Sequence, residues 1–124
     1  MTIPPEIYAG LSSAELLEYV VIKRLGFFEA AGLPNDPLQL RQRTRKRHIM
    51  LSRMVCMYLL EHYKVLPTQT SIASRYGQTH AMVVHARRVL KNALEGHDNL
   101  LPAKDIRIIK NALENLGYGH KQSD

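Results

Sequence analysis

The chain has 124 residues, of which 45% are hydrophobic and 23% are charged, with a net charge of +6. This length suits one ordinary domain, and the composition excludes a chain that is disordered from end to end. No stretch approaches the roughly 20 apolar residues of a membrane span, and the N-terminus lacks the pattern of a signal peptide, so we expect a cytoplasmic protein without membrane contact.

Positive charge is concentrated in the middle of the sequence. Residues 37–94 contain eleven lysines and arginines and a single acid, Glu61, which gives this stretch a net charge of +10. The remainder carries six basic and ten acidic residues, a net charge of −4. This segregation favours a polyanionic partner, because each neutralised phosphate of a nucleic acid releases condensed counterions. A solvated basic face without a partner is the alternative.

The first predicted element is a helix followed by a connector. Ser12 and Glu15 match a capping box in front of an apolar run, and Gly26 is placed to end the helix. We expect four side chains of this helix to face the core: Leu16, Leu17, Val20 and Val21. Residues 27–31 add a short apolar turn, and the glycine and prolines of residues 32–37 break the regular structure.

A central helix is predicted next. Residues 49–60 contain only two polar side chains, Ser52 and Arg53, which is typical of a buried helix. We expect Arg53 to emerge toward a DNA partner or to pair with an acid, because a buried guanidinium is costly. Cys56 is interpreted as a small core residue, since the only cysteine of the chain forms no internal disulfide.

Two helices separated by a tight turn follow. Thr68 or Thr70 can cap a short helix that Gly77 ends, and Thr79 can cap a longer one. The apolar positions expected to face the core from the longer helix are Met82, Val83, Ala86, Val89, Leu90, Ala93 and Leu94. This order of elements is typical of a helix-turn-helix, although other helical bundles contain similar corners.

The last predicted helix starts near Pro102. Its apolar face would consist of Ile106, Ile109, Ala112, Leu113 and Leu116. No alternating segment predicts a strand, so the expected fold is all-α, a small helical bundle with a helix-turn-helix. We divide the chain into an N-terminal helical extension (residues 1–36), a helix-turn-helix domain (37–117) and a polar tail (118–124).

Several residues of the basic stretch match a known DNA-binding domain. They are Arg45, Arg47, Arg53-Met-Val-Cys-Met-Tyr-Leu59, Ile72, Tyr76-Gly77, His80, Val83 and His85-Ala86. Over roughly residues 38–116 the sequence resembles the C-terminal domain of the bacterial replication initiator DnaA. The resemblance implies a Trp repressor-like fold that binds double-stranded DNA, with a recognition helix in the major groove and a basic-loop arginine, by position Arg45, in the minor groove.

The recognition motif of that family is changed here. The family sequence Phe-Gly-Gly-Arg-Asp-His-Thr-Thr-Val aligns with residues 76–83 after one deletion, and His80 is retained. Thr79 replaces the acid, while Ala81 and Met82 replace two threonines. Because these changes remove hydrogen-bonding groups, we expect a different target sequence or weaker specificity. The chain also lacks a phosphate-binding loop, so it is not expected to act as a complete initiator.

These observations together predict a stand-alone DNA-binding protein that acts in replication or transcription control. The residues predicted to bind DNA are Arg43, Arg45, Lys46, Arg47, Arg53, Gln78, Thr79, His80, Ala81, Arg87 and Arg88. Among them, Thr79, His80 and Ala81 are expected to face bases. Phosphate contacts are expected from Arg75, Arg87, Arg88 and Lys91.

Two other functions compete with this prediction. The first is a protein-interaction module that kept an initiator-like fold and lost sequence-specific DNA recognition. Ala81 and Met82 motivate this alternative. The second is an RNA-binding protein, which the scarcity of aromatic residues disfavours. The helix within residues 1–36 could also recruit a protein partner or mediate dimerisation. We expect no enzyme activity, cofactor or metal, because clustered acids, cysteine pairs and catalytic triads are missing.

Overall fold

The computed structural model describes residues 12–44, 46–96 and 101–115. These residues form seven helices: α1 (Ser13–Leu25), α2 (Phe27–Ala30), a 3-10 helix (Pro37–Arg41), α3 (Arg47–His62), α4 (Gln69–Arg75), α5 (His80–Leu94) and α6 (Ala103–Asn115). The described residues contain no strand, which confirms the predicted all-α class. In this part of the chain, no helix combines the length and the apolar character that crossing a bilayer requires.

Helix α1 begins and ends where the sequence predicts. The Ser12 hydroxyl accepts a hydrogen bond from the Glu15 amide at 3.2 Å, and the Ser12 amide donates to the Glu15 carboxylate at 3.3 Å. This reciprocal pair is the predicted capping box. At the other end Gly26 has a φ of +75°, a left-handed conformation that glycine adopts without a steric penalty.

The buried face of α1 differs from the expected one. Val21 is buried as predicted, together with Ala14, Glu18, Ile22 and Leu25. Leu17 is half-buried and packs against the core, whereas the prediction was wrong for Leu16 and Val20, which are half-buried but lie outside the core cluster. These three side chains lie beside the buried stripe and line an apolar groove of about 360 Å³, whose opposite wall includes Leu59, Tyr63 and Val65.

Helix α3 is the centre of the bundle and packs against α1, α2, α4 and α5. Every residue from Leu51 to Met57 is buried, and Cys56 is fully inaccessible as predicted. Phe28 of α2 is also fully buried in the same hydrophobic cluster. The described part of residues 1–36 therefore shares one core with the rest of the bundle.

Helices α5 and α6 complete the core. Val83, Ala86, Val89, Leu90 and Ala93 of α5 are buried, as expected from their spacing. The prediction was wrong for Met82, which is 40% exposed because it lies to one side of this stripe, and Leu94 is half-buried.

Helix α6 buries its predicted apolar residues Ile109, Ala112 and Leu113. Ile106 is half-buried, and Leu116 lies outside the described residues.

Candidate nucleic-acid interface

The unit formed by α4, a turn and α5 is built from local caps. The Thr68 hydroxyl accepts from the Ser71 amide at 3.0 Å and starts α4, and Tyr76 is the C-cap that follows Arg75 at its end. Gly77 follows with a φ of +64°, a left-handed conformation in which a side chain would be strained. The Thr79 hydroxyl then accepts from the Met82 amide at 3.3 Å and starts α5. The predicted caps at Thr68 and Thr79 are confirmed.

The first turn of α5 is open to solvent. Thr79, His80, Ala81 and Met82 are all exposed, while Val83 is buried. Gln78 is half-buried, and its side-chain Nε2 donates to the backbone carbonyl oxygen of Tyr76 at 3.5 Å. The residues predicted to face bases are thus accessible, although the Thr79 hydroxyl is also used by the helix cap.

The outer face of α5 continues with basic side chains. His85, Arg87, Arg88 and Lys91 are exposed. Arg87, Arg88 and Lys91 line a shallow cavity of about 370 Å³ on this helix, together with Val84, Asn92 and Glu95. Arg87 also lies 3.5 Å from Glu61, which in turn accepts a hydrogen bond from Gln69. Arg88 and Lys91 form no ion pair with the acids in the described parts of the chain.

Residues 41–47, called here the basic segment, lead into the first residue of α3, and most of their described residues are exposed. Arg41, Arg43 and Lys46 are accessible to solvent, whereas Arg45 lies outside the described residues. Arg47, at the start of α3, donates to Asp105 of α6 at 3.3 Å through Nε and forms a second contact with the other carboxylate oxygen. Its guanidinium also lies 5.1 Å from the ring centre of Phe27. Arg47 is therefore exposed but already neutralised by a buried acid.

Arg53 does not lie at the surface, so its prediction as a DNA contact was wrong. The residue is 6% exposed, and its guanidinium donates to the carbonyl oxygens of Leu40 at 2.8 Å and Gln42 at 2.6 Å. It pairs with backbone rather than with an acid, because the end of the 3-10 helix turns its free carbonyl groups toward α3. Burial lowers the pKa of Arg53, and the nearby Tyr76 partly offsets this. Arg53 thus holds the start of the basic segment against the middle of α3.

Arg75 is likewise unavailable for the predicted phosphate contact. Its guanidinium donates twice to the carboxylate of Glu18, at 2.9 and 2.7 Å, and the Tyr76 hydroxyl donates to the same carboxylate. Glu18 is 1% exposed, so these donors replace the water that a buried carboxylate loses. The hydrogen bonds to Glu18 raise the pKa of Arg75, and burial raises the pKa of Tyr76.

The sequence analysis did not predict the cluster formed by Glu18, Arg75 and Tyr76, although the position of Glu18 in α1 indicates a buried acid. Glu18 lies four residues after Ala14 and four before Ile22, in the middle of the buried stripe of α1. An acid at such a position needs a cationic or hydrogen-bonding partner from another element. Its partners at positions 75 and 76 are far away in sequence, so the spacing of residues in α1 alone does not identify them.

Comparison with known proteins gives no further identification. No protein family, curated protein or solved structure matches the chain. The resemblance to the initiator domain therefore stays a prediction from the motif residues within residues 38–116. Among the described residues, no group of three or more histidines, cysteines and acids could hold a metal ion. The candidate interface therefore consists of an exposed helix start, a basic helix face and a tethered basic segment.

Proposed function

We propose that this protein binds double-stranded DNA through α5 and the basic segment of residues 41–47, in the control of replication or transcription. The observation that carries the proposal is the exposure of the α5 first turn on a helix whose outer face holds Arg88 and Lys91. In a helix-turn-helix, the N-terminal residues of the second helix meet base edges in the major groove. Free backbone amides at a helix start also favour a phosphate nearby.

Charge supports the same partner. Within residues 37–94, the exposed cations that form no ion pair with the described parts of the chain are Arg41, Arg43, Lys46, Lys64, Arg88 and Lys91. Such side chains contact phosphates without reading sequence, and they draw the protein to a polyanion over a distance. Arg45, predicted as the minor-groove residue, is in the same basic segment.

The way in which the basic segment and α5 are both attached to α3 also supports the proposal. Arg53 fixes the start of the basic segment to α3, and α3 also packs against α4 and α5. The basic segment and α5 are thus both anchored on the same central helix. A protein that contacts two adjacent grooves needs such a fixed separation between its contacting elements.

A protein-interaction module is the second candidate, and the apolar side chains of Ala81 and Met82 favour it. The two functions differ in their response to salt. For DNA binding, log K plotted against log salt concentration falls with a slope of about −0.9 for each phosphate contact. An interaction module shows no binding to mixed-sequence duplex DNA at low salt.

Titration of the protein with mixed-sequence duplex DNA at several salt concentrations tests the proposal. We expect tight binding at low salt and a steep salt dependence. Single-stranded RNA serves as the competitor, and it is expected to displace the duplex poorly. Failure to bind any duplex at low salt, or preference for the RNA, overturns the proposal.

A further inference from the structure

The groove between α1 and the C-terminal end of α3 is apolar on both walls. Its volume is about 360 Å³, and leucines and valines make up six of the eight residues that line it. On the α1 wall, Leu16 and Val20 are half-buried and lie outside the core cluster. An apolar ligand that covers these side chains removes further apolar surface from water, which favours its binding.

Arg24 lies on the same face of α1, one turn beyond the groove. It follows Leu17 by seven residues and Val20 by four, the spacings that place side chains on one face of a helix. Arg24 is half-buried, and its Nε is buried without a hydrogen-bond partner among the described residues. Its guanidinium also forms no ion pair with the acids in this part of the chain. Because a buried nitrogen without an acceptor is costly, Arg24 favours a ligand that supplies one.

The other charged residues near the groove leave its positive charge uncompensated. Lys64, which is exposed and lies in sequence between two residues of the α3 wall, forms no ion pair with the described acids. Glu15 precedes Arg24 by nine residues, which places it on the opposite face of α1, and its carboxylate accepts from the Ser12 amide. Glu18 is buried in its own ion pair. The groove therefore combines apolar walls with cations that an acidic ligand complements.

The walls of the groove favour a helical ligand over an extended one. Both walls belong to helices or to the residues that directly follow α3, and the backbone groups within a helix already bond to one another. An extended peptide would find no ladder of backbone partners in such a groove, whereas a helix satisfies its own backbone groups. From Ser13 to Val21 the α1 wall is about 12 Å long, which corresponds to two turns of a helix.

We propose that this groove binds an acidic amphipathic helix of another protein, whose apolar stripe fills the groove and whose carboxylate pairs with Arg24. Helices bound in this way contact the groove through apolar residues spaced three, four and seven apart. A second copy of this chain is a poorer ligand, because it brings the same cations to the interface. This binding is independent of the proposed DNA binding, since no residue of α5 or of the basic segment lines the groove.

Selection of peptides on the full-length protein tests the proposal. The probe is a displayed library of helical peptides of about 15 residues with randomised surface positions. We expect the enriched peptides to share an apolar stripe at the spacings given above and an acid one turn beyond its end. Replacing that acid by the corresponding amide should weaken binding about tenfold, because it removes a charged partner of the guanidinium.

Variants of the protein assign the bound peptide to the groove. Arg24→Gln should weaken the acidic peptide about tenfold and should show no further loss with its amide counterpart, as expected for two groups that contact each other. Arg88→Gln is the matched control, since it removes the same charge from an exposed position of α5.

A second pair of variants tests the apolar wall. Leu16→Ser should weaken the peptide about tenfold, because a leucine side chain loses its contact. Leu38→Ser is the control, since Leu38 is 60% exposed on the 3-10 helix and does not line the groove. Circular dichroism should be the same in all four variants as in the unchanged protein.

Several results would overturn the proposal. They are a library without enriched peptides, enriched peptides that lack an acid, and peptides that bind Arg24→Gln or Leu16→Ser as tightly as the unchanged protein. Self-association of the protein that Leu16→Ser abolishes would identify a second copy as the occupant instead. Mixed-sequence duplex DNA should leave the peptide bound, and displacement by the duplex would place the peptide on the basic surface rather than in the groove.

Discussion

The carboxylate of Glu18 and the guanidinium of Arg75 form a two-point ion pair that joins α1 to α4 across 57 residues of sequence. Both side chains are largely buried, at 1% and 16% exposure. We expect Glu18→Ala to lower the free energy of unfolding by about 3 kcal/mol, because it leaves a buried cation without its partner. Urea denaturation followed by circular dichroism measures this loss.

An exposed ion pair provides the control for that measurement. Glu29 and Lys23 lie 2.9 Å apart at the surface, where solvent screens their attraction. Glu29→Gln should therefore cost far less than Glu18→Ala. Equal losses in the two variants would mean that the buried pair contributes no more than a surface contact.

Replacement of Arg53 tests the anchor of the basic segment. Arg53→Lys retains the charge but cannot donate to the carbonyl groups of Leu40 and Gln42 from two separate nitrogens. We expect a loss of about 1–3 kcal/mol in the free energy of unfolding, since a buried carbonyl is left unsatisfied. The exposed Arg43→Lys should change the stability by less than about 0.5 kcal/mol. If Arg53→Lys left the free energy of unfolding unchanged, the structural role assigned to this residue would be wrong.

The salt dependence of DNA binding tests the outer face of α5. Replacing Arg88 and Lys91 together by alanine should reduce the slope of log K for duplex DNA against log salt concentration by about 0.9 for each phosphate that the variant no longer neutralises. The double variant of Lys104 and Arg107 to alanine removes the same charge from exposed positions of α6 and should leave the slope unchanged. Equal slopes in the two double variants would exclude α5 as the phosphate-binding face.

Cys56 provides a probe of opening of the core. The residue is 0% exposed, and burial raises the pKa of its thiol well above the ordinary value of 9.0. Because the thiolate is the reactive form, we expect no measurable modification by a thiol reagent at pH 8 in the native protein. Modification should become rapid in denaturing urea. Fast reaction without denaturant would show that the interior around α3 is accessible.

The cap of α1 should contribute to acid sensitivity. The hydrogen bond from the Ser12 amide lowers the pKa of Glu15 from its ordinary 4.5. A lowered pKa in the folded state means that the stabilisation is present above pH 4.5 and is lost as the pH falls through the folded-state value. In Glu15→Gln, stability measured by urea denaturation between about pH 5 and pH 3 should therefore fall less steeply than in the unchanged protein. Parallel curves would contradict this role for Glu15.

Local sequence signals predicted the helices well and the long-range contacts poorly. The caps at Ser12, Thr68 and Thr79 depend on residues at most three positions away, so their side chains alone were sufficient. The burial and the hydrogen-bond partners of Arg53 and Arg75 depend on groups that come close only in the folded chain. A basic residue in a positively charged stretch therefore gave the same expectation whether it was buried or exposed.

The Glu18–Arg75 pair also has a consequence for the order in which the chain folds during synthesis. Helix α1 leaves the ribosome before α4, and the Glu18 carboxylate has no counter-charge at position 75 until 57 more residues have been translated. The apolar stripe around Glu18 is thus uncovered for most of that interval, and closure of the bundle occurs late. A nascent chain arrested before Arg75 should be readily cut by protease within α1, whereas one released after Leu113 should resist it.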